Sequence, residues 1–326
     1  MGPPIDVLFL VLPGTLLLDL VGPAEALRIA NQRLAQRRLP AAFRLRFVGP
    51  CPEAATSVGL TVSGIEPLPE TLASPGWIVI LGQPGLGRTL SRAWPAGWLE
   101  ARDWLARVLG PVLDRSESGH RLLTVCAGAL LAADAGLVGT RELTTHHELL
   151  DALSRLAPAA RVRANRVFVV DGPLWSSAGI TAGIDLALHG IADVCGDAVA
   201  AQVAETMVVF HRRGTEDPER SPLLEGRSHL HPAVHRVQNA VCERPAHEWD
   251  LAALAAVAHV TPRHLARLFK QHAGVSPRDY LEQVRHGLAE QALAHGLTTT
   301  QAVDLAGFSS DRQWRRARAR ARAPNP

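Results

Sequence analysis

Two groups of residues in this chain have the types and spacing to do chemistry. The first centres on Cys126, which follows the apolar run Leu122 to Val125 and precedes Ala127, Gly128 and a helical stretch. That order places the thiol on a sharp strand-to-helix turn. Such an elbow presents its side chain at the carboxyl edge of a sheet, where the start of the next helix stabilises a thiolate and where open α/β sheets bind ligands. The thiol can serve there as part of a sensor, as a nucleophile or as an oxidisable group. Cys51, Cys195 and Cys242 show no metal-ligand spacing and no C-x-x-C pairing. No metal centre or cofactor is expected, and a reduced, intracellular chain fits.

The second group is cationic and lies near the C-terminus. From His229 onward there are 13 Arg or Lys against 8 Asp or Glu, a net of +5, which leaves 21 against 23, a net of −2, for residues 1–228. The asymmetry points to a polyanion partner at one end only. Lys270 is the sole lysine, and arginine supplies forked donors for phosphates and guanine edges. Arg263, His264, Arg267 and Lys270 fall on the outward face of one predicted helix. Asp311, Arg312, Arg315 and Arg316 occupy another, and the arginines that continue to Arg322 suit phosphate contacts whose strength falls with salt.

These residues need elements to hold them. At 326 residues and 47% hydrophobic, the chain is long enough for two domains with cores of their own. In the first, strands at Val7 to Val11, Phe43 to Val48, Trp77 to Leu81, Leu122 to Val125 and Val167 to Val170 alternate with helices. Those helices are expected at Leu20 to Ala35, Trp98 to Leu109, Ala129 to Ala135 and Ile184 to Val194. The pattern predicts a mainly parallel, doubly wound α/β sheet. Trp94, Trp98 and Trp104 stand at helical spacing, which favours core packing over an aromatic cage for a cation. His189 and His211 read as packing or surface residues. The run Ile5 to Leu12 lacks a basic flank, so no signal peptide is expected, and no stretch is long and apolar enough to span a bilayer.

Residues 213–228 have linker composition, which divides the chain into 1–212, a linker, and an all-α domain over 229–326. There, Leu251, Leu254, Ala255 and Ala258 share one helix face. His259 sits at a turn, a site it tolerates because it enters the left-handed region more readily than most residues. Thr261 caps a new helix with Pro262 in its first position, and Leu265, Leu268 and Phe269 face inward. Ser276 and Pro277 then start a long helix with the stripe Tyr280, Leu281, Val284, Leu288, Ala292 and Leu293, ending near Gly296. A second short pair begins at Thr300, with Val303 and Leu305 before the turn at Gly307, and Ser310 capping the last helix. An offset of 49 residues superposes Thr261 on Ser310, Leu265 on Trp314 and Arg267 on Arg316, an imperfect internal duplication.

Two helix-turn-helix units on one connecting helix, with L-A-R-L-F at Leu265 to Phe269, G-V-S-P-R-D-Y at Gly274 to Tyr280 and A-G-F-S at Ala306 to Ser309, resemble the AraC/XylS family of transcription regulators. The resemblance covers roughly residues 229–318 and implies two recognition helices reaching successive major grooves of double-stranded DNA. Family members usually carry an aromatic residue where Arg318 stands, so the last helix is expected to lack a closing core contact.

The N-terminal part, over about residues 4–212, resembles the ThiJ/PfpI branch of the class I glutamine amidotransferase-like, flavodoxin-like folds. The residues that carry this are D-L-V-G-P-A-E at Asp19 to Glu25, V-C-A-G at Val125 to Gly128, T-T-H at Thr144 to His146 and S-A-G-I-T-A-G-I-D at Ser177 to Asp185. Together the two halves look like GlxA-type regulators. The resemblance implies an effector pocket of Asp19, Glu25, Gly82, Cys126, Ala127 and His146, with Asp19 as a nearby acid, His146 as a possible base and Gly82 in a backbone oxyanion pocket. Ala127 and His147 depart from the residues usual in that branch. The expectation is a cytoplasmic, nucleoid-associated homodimer that is not an enzyme. It would bind DNA under control of a small, nitrogen-containing effector and, as an activator, would contact RNA polymerase. The rival readings are a Cys126-dependent hydrolase or hydratase and a Cys126 redox sensor.

Overall fold

A computed structural model of the chain describes residues 3–72, 75–86, 94–115, 119–209, 213–215, 229, 231–294 and 296–322. Residues 216–228 of the expected linker, and His211, lie outside these, as do the side chains of Asp311, Arg320 and Arg322. The chain forms two compact units, Met1–Glu219 and Arg220–Pro326.

The first unit begins with β1 (Ile5–Leu10), α1 (Leu17–Gln36) and β2 (Phe43–Gly49). A small hairpin of β3 (Glu53–Ala55) and β4 (Thr61–Ser63) follows, then β5 (Glu66–Pro67) and β6 (Gly76–Ile80). Next come α2 (Trp98–Trp104), continued by a π turn at Leu105–Leu109 and α3 (Gly110–Leu113), β7 (Arg121–Val125) and α4 (Gly128–Asp134). After the short β8 (Glu142–Leu143), α5 (Leu150–Leu156) and β9 (Arg161–Val162), the unit closes with β10 (Phe168–Asp171), β11 (Leu174–Ser177), α6 (Ala182–Cys195) and α7 (Asp197–Thr206). The main sheet runs β10-β11-β7-β6-β1-β2-β5. It is parallel except at β10/β11, the mainly parallel sheet the sequence predicts. Helices α1, α6 and α7 pack as one layer, and α2, α4 and α5 as another. With both faces covered, β6 is buried at every residue and reads as an unbroken apolar run rather than an alternation.

The periodicity gave no hint of β11, a four-residue strand with two serines. Its polar groups are tolerated inside because each is bonded: Ser176 Oγ accepts from the Thr144 N–H at 2.8 Å, and Ser177 Oγ donates to the Thr124 carbonyl at 3.5 Å. The tryptophans are core residues. Trp98 stacks on Trp94 and donates to Asp134 at 2.8 Å, and Trp104 donates to the Pro69 carbonyl at 2.7 Å. His189 packs against Phe168 and Trp175.

The second unit is helical: α8 (Pro232–Glu243), α9 (Leu251–Ala258), α10 (Pro262–His272), α11 (Pro277–Ala294), α12 (Thr299–Ala306) and α13 (Asp311–Arg322). Its caps are those the sequence names. Thr261 accepts from the His264 N–H, Ser276 from Asp279 and Ser310 from Gln313, and His259 adopts φ +56° at the α9–α10 turn. The second pair starts earlier than expected, at Thr298, because Gln301 completes a reciprocal capping box with it.

Two small cores result. One joins α8, α9, α10 and the start of α11, the other joins the end of α11 to α12 and α13, and Leu288 touches both. On α12 the buried face is Ala302, Val303 and Ala306, and Leu305 is 56% exposed. At the end of the last helix Arg318 makes a partly exposed contact in place of a core one: it pairs with Glu290 of α11 at 2.9 Å and lies over the Trp314 ring. A guanidinium thus does part of the work of the aromatic residue usual there, binding by charge and by its planar face.

Candidate effector site and nucleic-acid interface

In the main sheet β7, β6 and β1 are neighbours, and the strand order reverses at β1: the chain runs from β1 to β2 and β5 on one side and then returns to β6 and β7 on the other. The carboxyl ends of these strands are where such sheets take ligands. Cys126 follows β7, Gly82 follows β6, and Asp19 lies in the first turn of the helix after β1. A β-carbon built on Gly82 would stand 2.4 Å from Asp19 Oδ2 and 2.8 Å from Cys126 Cβ. Only a bare backbone lets these three meet.

Cys126 has φ +55° and is buried. A β-branched or bulky residue would resist this left-handed elbow. It is held by the Cys126 N–H donating to the Ser177 carbonyl at 3.0 Å and by Thr145 Oγ1 donating to the Cys126 carbonyl at 2.8 Å. The loop from β11 to α6 closes over the sulfur: a β-carbon on Gly179 would sit 2.3 Å from Cys126 Cβ and 2.8 Å from its Sγ.

Asp19 is wholly buried. Its Oδ1 accepts from the Ile180 N–H at 2.9 Å and its Oδ2 from the Gly82 N–H at 3.2 Å. Burial outweighs these two bonds and pushes the carboxyl up from 3.8 to about 6. The structure thus gathers Asp19, Gly82, Cys126 and the buried Ala127. His146 follows Thr145, so its backbone is near the elbow, while its Nδ1 accepts from the Glu148 N–H at 3.4 Å and its ring lies tilted against that of His147. Glu25 is not brought in: two turns along α1, it is 52% exposed and paired with Arg28. Gly179 and Ile180, inside a motif the sequence makes visible, take site positions no sequence argument gave them.

The four cysteines are free thiols. Among the described residues no cluster of His, Cys, Asp or Glu is arranged to hold a metal ion, and no helix is long and apolar enough to cross a membrane.

In the second unit Arg263, Arg267 and Lys270 are exposed on α10, and Arg312, Arg315 and Arg316 on α13, with His264 half-buried. Arg267 bonds His264 Nδ1 at 3.1 Å, and Lys270 closes the end of its helix on the Gly274 carbonyl at 3.1 Å. The two helix-turn-helix pairs are fixed to each other. Arg285 on α11 donates to the carbonyls of Pro245 and His247, both at 2.8 Å. Gly307, at φ +80°, packs so tightly on that loop that a β-carbon would lie 2.3 Å from Ala246 Cα. Between the pairs lies a cleft of about 730 Å³ with Leu254, Leu281 and Phe308 in its lining and Arg278, Arg312 and Arg316 among its cations.

Comparisons with known proteins agree with both halves. A helix-turn-helix domain signature matches residues 254–323. The HTH-type transcriptional regulator CdhR of Pseudomonas aeruginosa is 31% identical over 94% of this chain and 85% of its own length. The HTH-type transcriptional regulator GlxA of Rhizobium meliloti is 32% identical over 60% of each chain. An isonitrile hydratase of Pseudomonas putida is 31% identical over 43% of this chain and 62% of its own. The crystal structure of a ThiJ/PfpI family protein from Pseudomonas syringae matches at TM-score 0.50 and 20% identity, over 78% of this chain and 91% of that one. The chain therefore belongs to the AraC-type, GlxA-like helix-turn-helix transcriptional regulators that join a ThiJ/PfpI-like α/β unit to a DNA-binding unit.

Proposed function

We propose that this regulator is controlled by a small polar, nitrogen-containing metabolite bound at Asp19 and Cys126, with no turnover required. The observation that carries the reading is the state of the Gly82 N–H. An oxyanion pocket needs backbone donors aimed at empty space where charge develops, whereas here this donor is engaged by the Asp19 carboxyl. A carboxyl held up by burial gains most from a cationic or N–H-donating ligand, which restores its ionised form. That favours an amine, guanidine or amide over an acid. His146, Thr145 and Ala127 border the elbow and would complete the effector site, while Glu25 belongs to the surface of α1.

The DNA-facing set is Arg263, His264, Arg267 and Lys270 with Asp311, Arg312, Arg315 and Arg316, the arginines suited to guanine edges and phosphates. A dimer is supported by the exposed apolar residues Leu18, Val21, Val58, Leu60 and Ile180 around the start of α1. As an activator the dimer would recruit RNA polymerase.

A second reading, a hydratase or hydrolase, is favoured by the left-handed elbow of Cys126 and by the likeness to an isonitrile hydratase. One experiment separates the two. The full chain, as wild type and Cys126→Ser, is titrated onto a duplex from its own promoter region with a panel of small amines, amides and isonitriles, and each compound is assayed for conversion. A compound that shifts the DNA affinity of wild type but not of Cys126→Ser, without being consumed, supports sensing. Consumption that Cys126→Ser abolishes selects the enzyme. A variant that responds to the same compounds as wild type removes Cys126 from the site.

A further inference from the structure

The α6 helix carries an ion pair that neither the sheet nor the DNA-facing helices require. Asp185, only 4% exposed, accepts three bonds from one residue: the Arg213 N–H at 3.1 Å on Oδ1, and Arg213 Nε at 3.0 Å and Nη2 at 2.6 Å on Oδ2. The same Nη2 donates to Thr181 Oγ1 at 3.0 Å. A fork of this kind fixes both the position and the orientation of the guanidinium. Through its N–H it also fixes the backbone of Arg213.

The location gives the pair its meaning. Thr181 directly follows Ile180, whose N–H is bound by Asp19, and Gly179, which covers the Cys126 sulfur. Ile180 is itself in the left-handed region, at φ +52°, a strained posture for a β-branched side chain that persists only where its surroundings over-determine it. Three consecutive residues therefore touch Cys126, Asp19 and Arg213 in turn. Arg213, at the other end of this path, stands where the chain sets out toward the DNA-binding unit.

We propose that the Arg213–Asp185–Thr181 clasp couples the Cys126/Asp19 site to the segment leading to the DNA-binding unit. The inference rests on the reading of that site as the effector site. A ligand that takes over the Asp19 carboxyl releases the Ile180 N–H, the Gly179–Thr181 loop relaxes, and the guanidinium loses its bond to Thr181. The held and released forms of Arg213 are the two states that the ligand biases. Coupling of this kind is reciprocal, so releasing Arg213 must loosen the loop as surely as disturbing Asp19 frees Arg213.

Reciprocity permits a test that needs no effector. Residue-resolved amide hydrogen exchange is measured on the full chain as wild type, Arg213→Ala, Arg213→Lys and Asp19→Asn. The Arg213 amide should exchange about tenfold faster in Asp19→Asn, and the Ile180 and Gly82 amides about tenfold faster in Arg213→Ala, at the lower end of typical coupling between sites. Val7 and Leu45 in β1 and β2 should not change. Arg213→Lys, which keeps the charge and loses the fork, should show the same pattern more weakly, and it decides the matter if Arg213→Ala loosens the whole unit. Unchanged Ile180 and Gly82 amides in both Arg213 variants, or an increase no larger than that of Val7, overturn the clasp. A null result here leaves the Cys126 titrations untouched, and failure of those titrations leaves the exchange coupling standing, so the two readings fail separately.

Discussion

Asp19 offers a measurement with a definite sign. Its carboxyl is raised from 3.8 to about 6, first by desolvation and against two backbone bonds. A carboxyl whose value is higher in the folded chain keeps its proton longer there than in the unfolded chain. Between pH 3.8 and about 6 the folded state therefore binds more protons, and stability falls as pH rises through that window. The whole shift corresponds to about 3 kcal/mol, of which about 2 kcal/mol falls between pH 4.5 and 7.5. Asp19→Asn removes the titration. It also leaves one of the two buried N–H groups without its acceptor, a cost of about 1–3 kcal/mol that does not depend on pH.

The two effects separate cleanly. The stability of wild type minus that of Asp19→Asn should decline by about 2 kcal/mol from pH 4.5 to 7.5, whatever its offset. The assay is amide exchange of the β1 and β6 core, which follows the α/β unit alone, and comparison at equal pH cancels the intrinsic exchange rate. A difference that stays flat across the range would mean that Asp19 ionises in this fold as it does in water. Such a carboxyl would give no preference to a cationic or N–H-donating effector.

Other perturbations test the second unit. Gly307→Ala should destabilise it by about 1–3 kcal/mol from the left-handed backbone alone, and by more because the β-carbon meets Ala246; an unchanged thermal transition of this unit would contradict that packing. Arg318→Ala should cost no more than about 1 kcal/mol, since both partners are partly exposed, and a collapse of α13 in circular dichroism would show the pair to be worth far more. Arg267→Ala should weaken binding to the operator by about 1–3 kcal/mol while relaxing the preference for one base pair. A uniform loss across sequences with a reduced salt slope would make it a phosphate contact instead.

The parts of this molecule legible in its sequence are those that follow from local rules. Strands buried on both faces announce themselves as apolar runs, and helices of the second unit announce themselves through Thr261–Pro262, Ser276–Pro277 and Ser310. The elbow at Cys126 was visible because a strand, a small residue and a helix must succeed one another there. What the sequence hides is set by partners far along the chain. Glu25 shares a seven-residue motif with Asp19 and still faces the opposite way, because only one turn of α1 points at the strand ends. Ser176 and Ser177 sit in the sheet because Thr144 and Thr124 satisfy them.

Gly179 and Ile180 show the same thing at the site itself. Nothing local distinguishes them from ordinary loop residues, and their importance comes from what presses against them, a carboxylate from one segment and a thiol from another. Arg213 is the extreme case. It begins a stretch of Gly, Pro, Ser and charged residues whose composition reads as linker, yet it makes three bonds to a buried aspartate 28 residues earlier. Composition reports the average tendency of a segment to leave the core. A single guanidinium with a desolvated carboxylate waiting for it is enough to override that average, and under the coupling proposed above this is a point where holding or releasing the chain would bear on the unit that binds DNA.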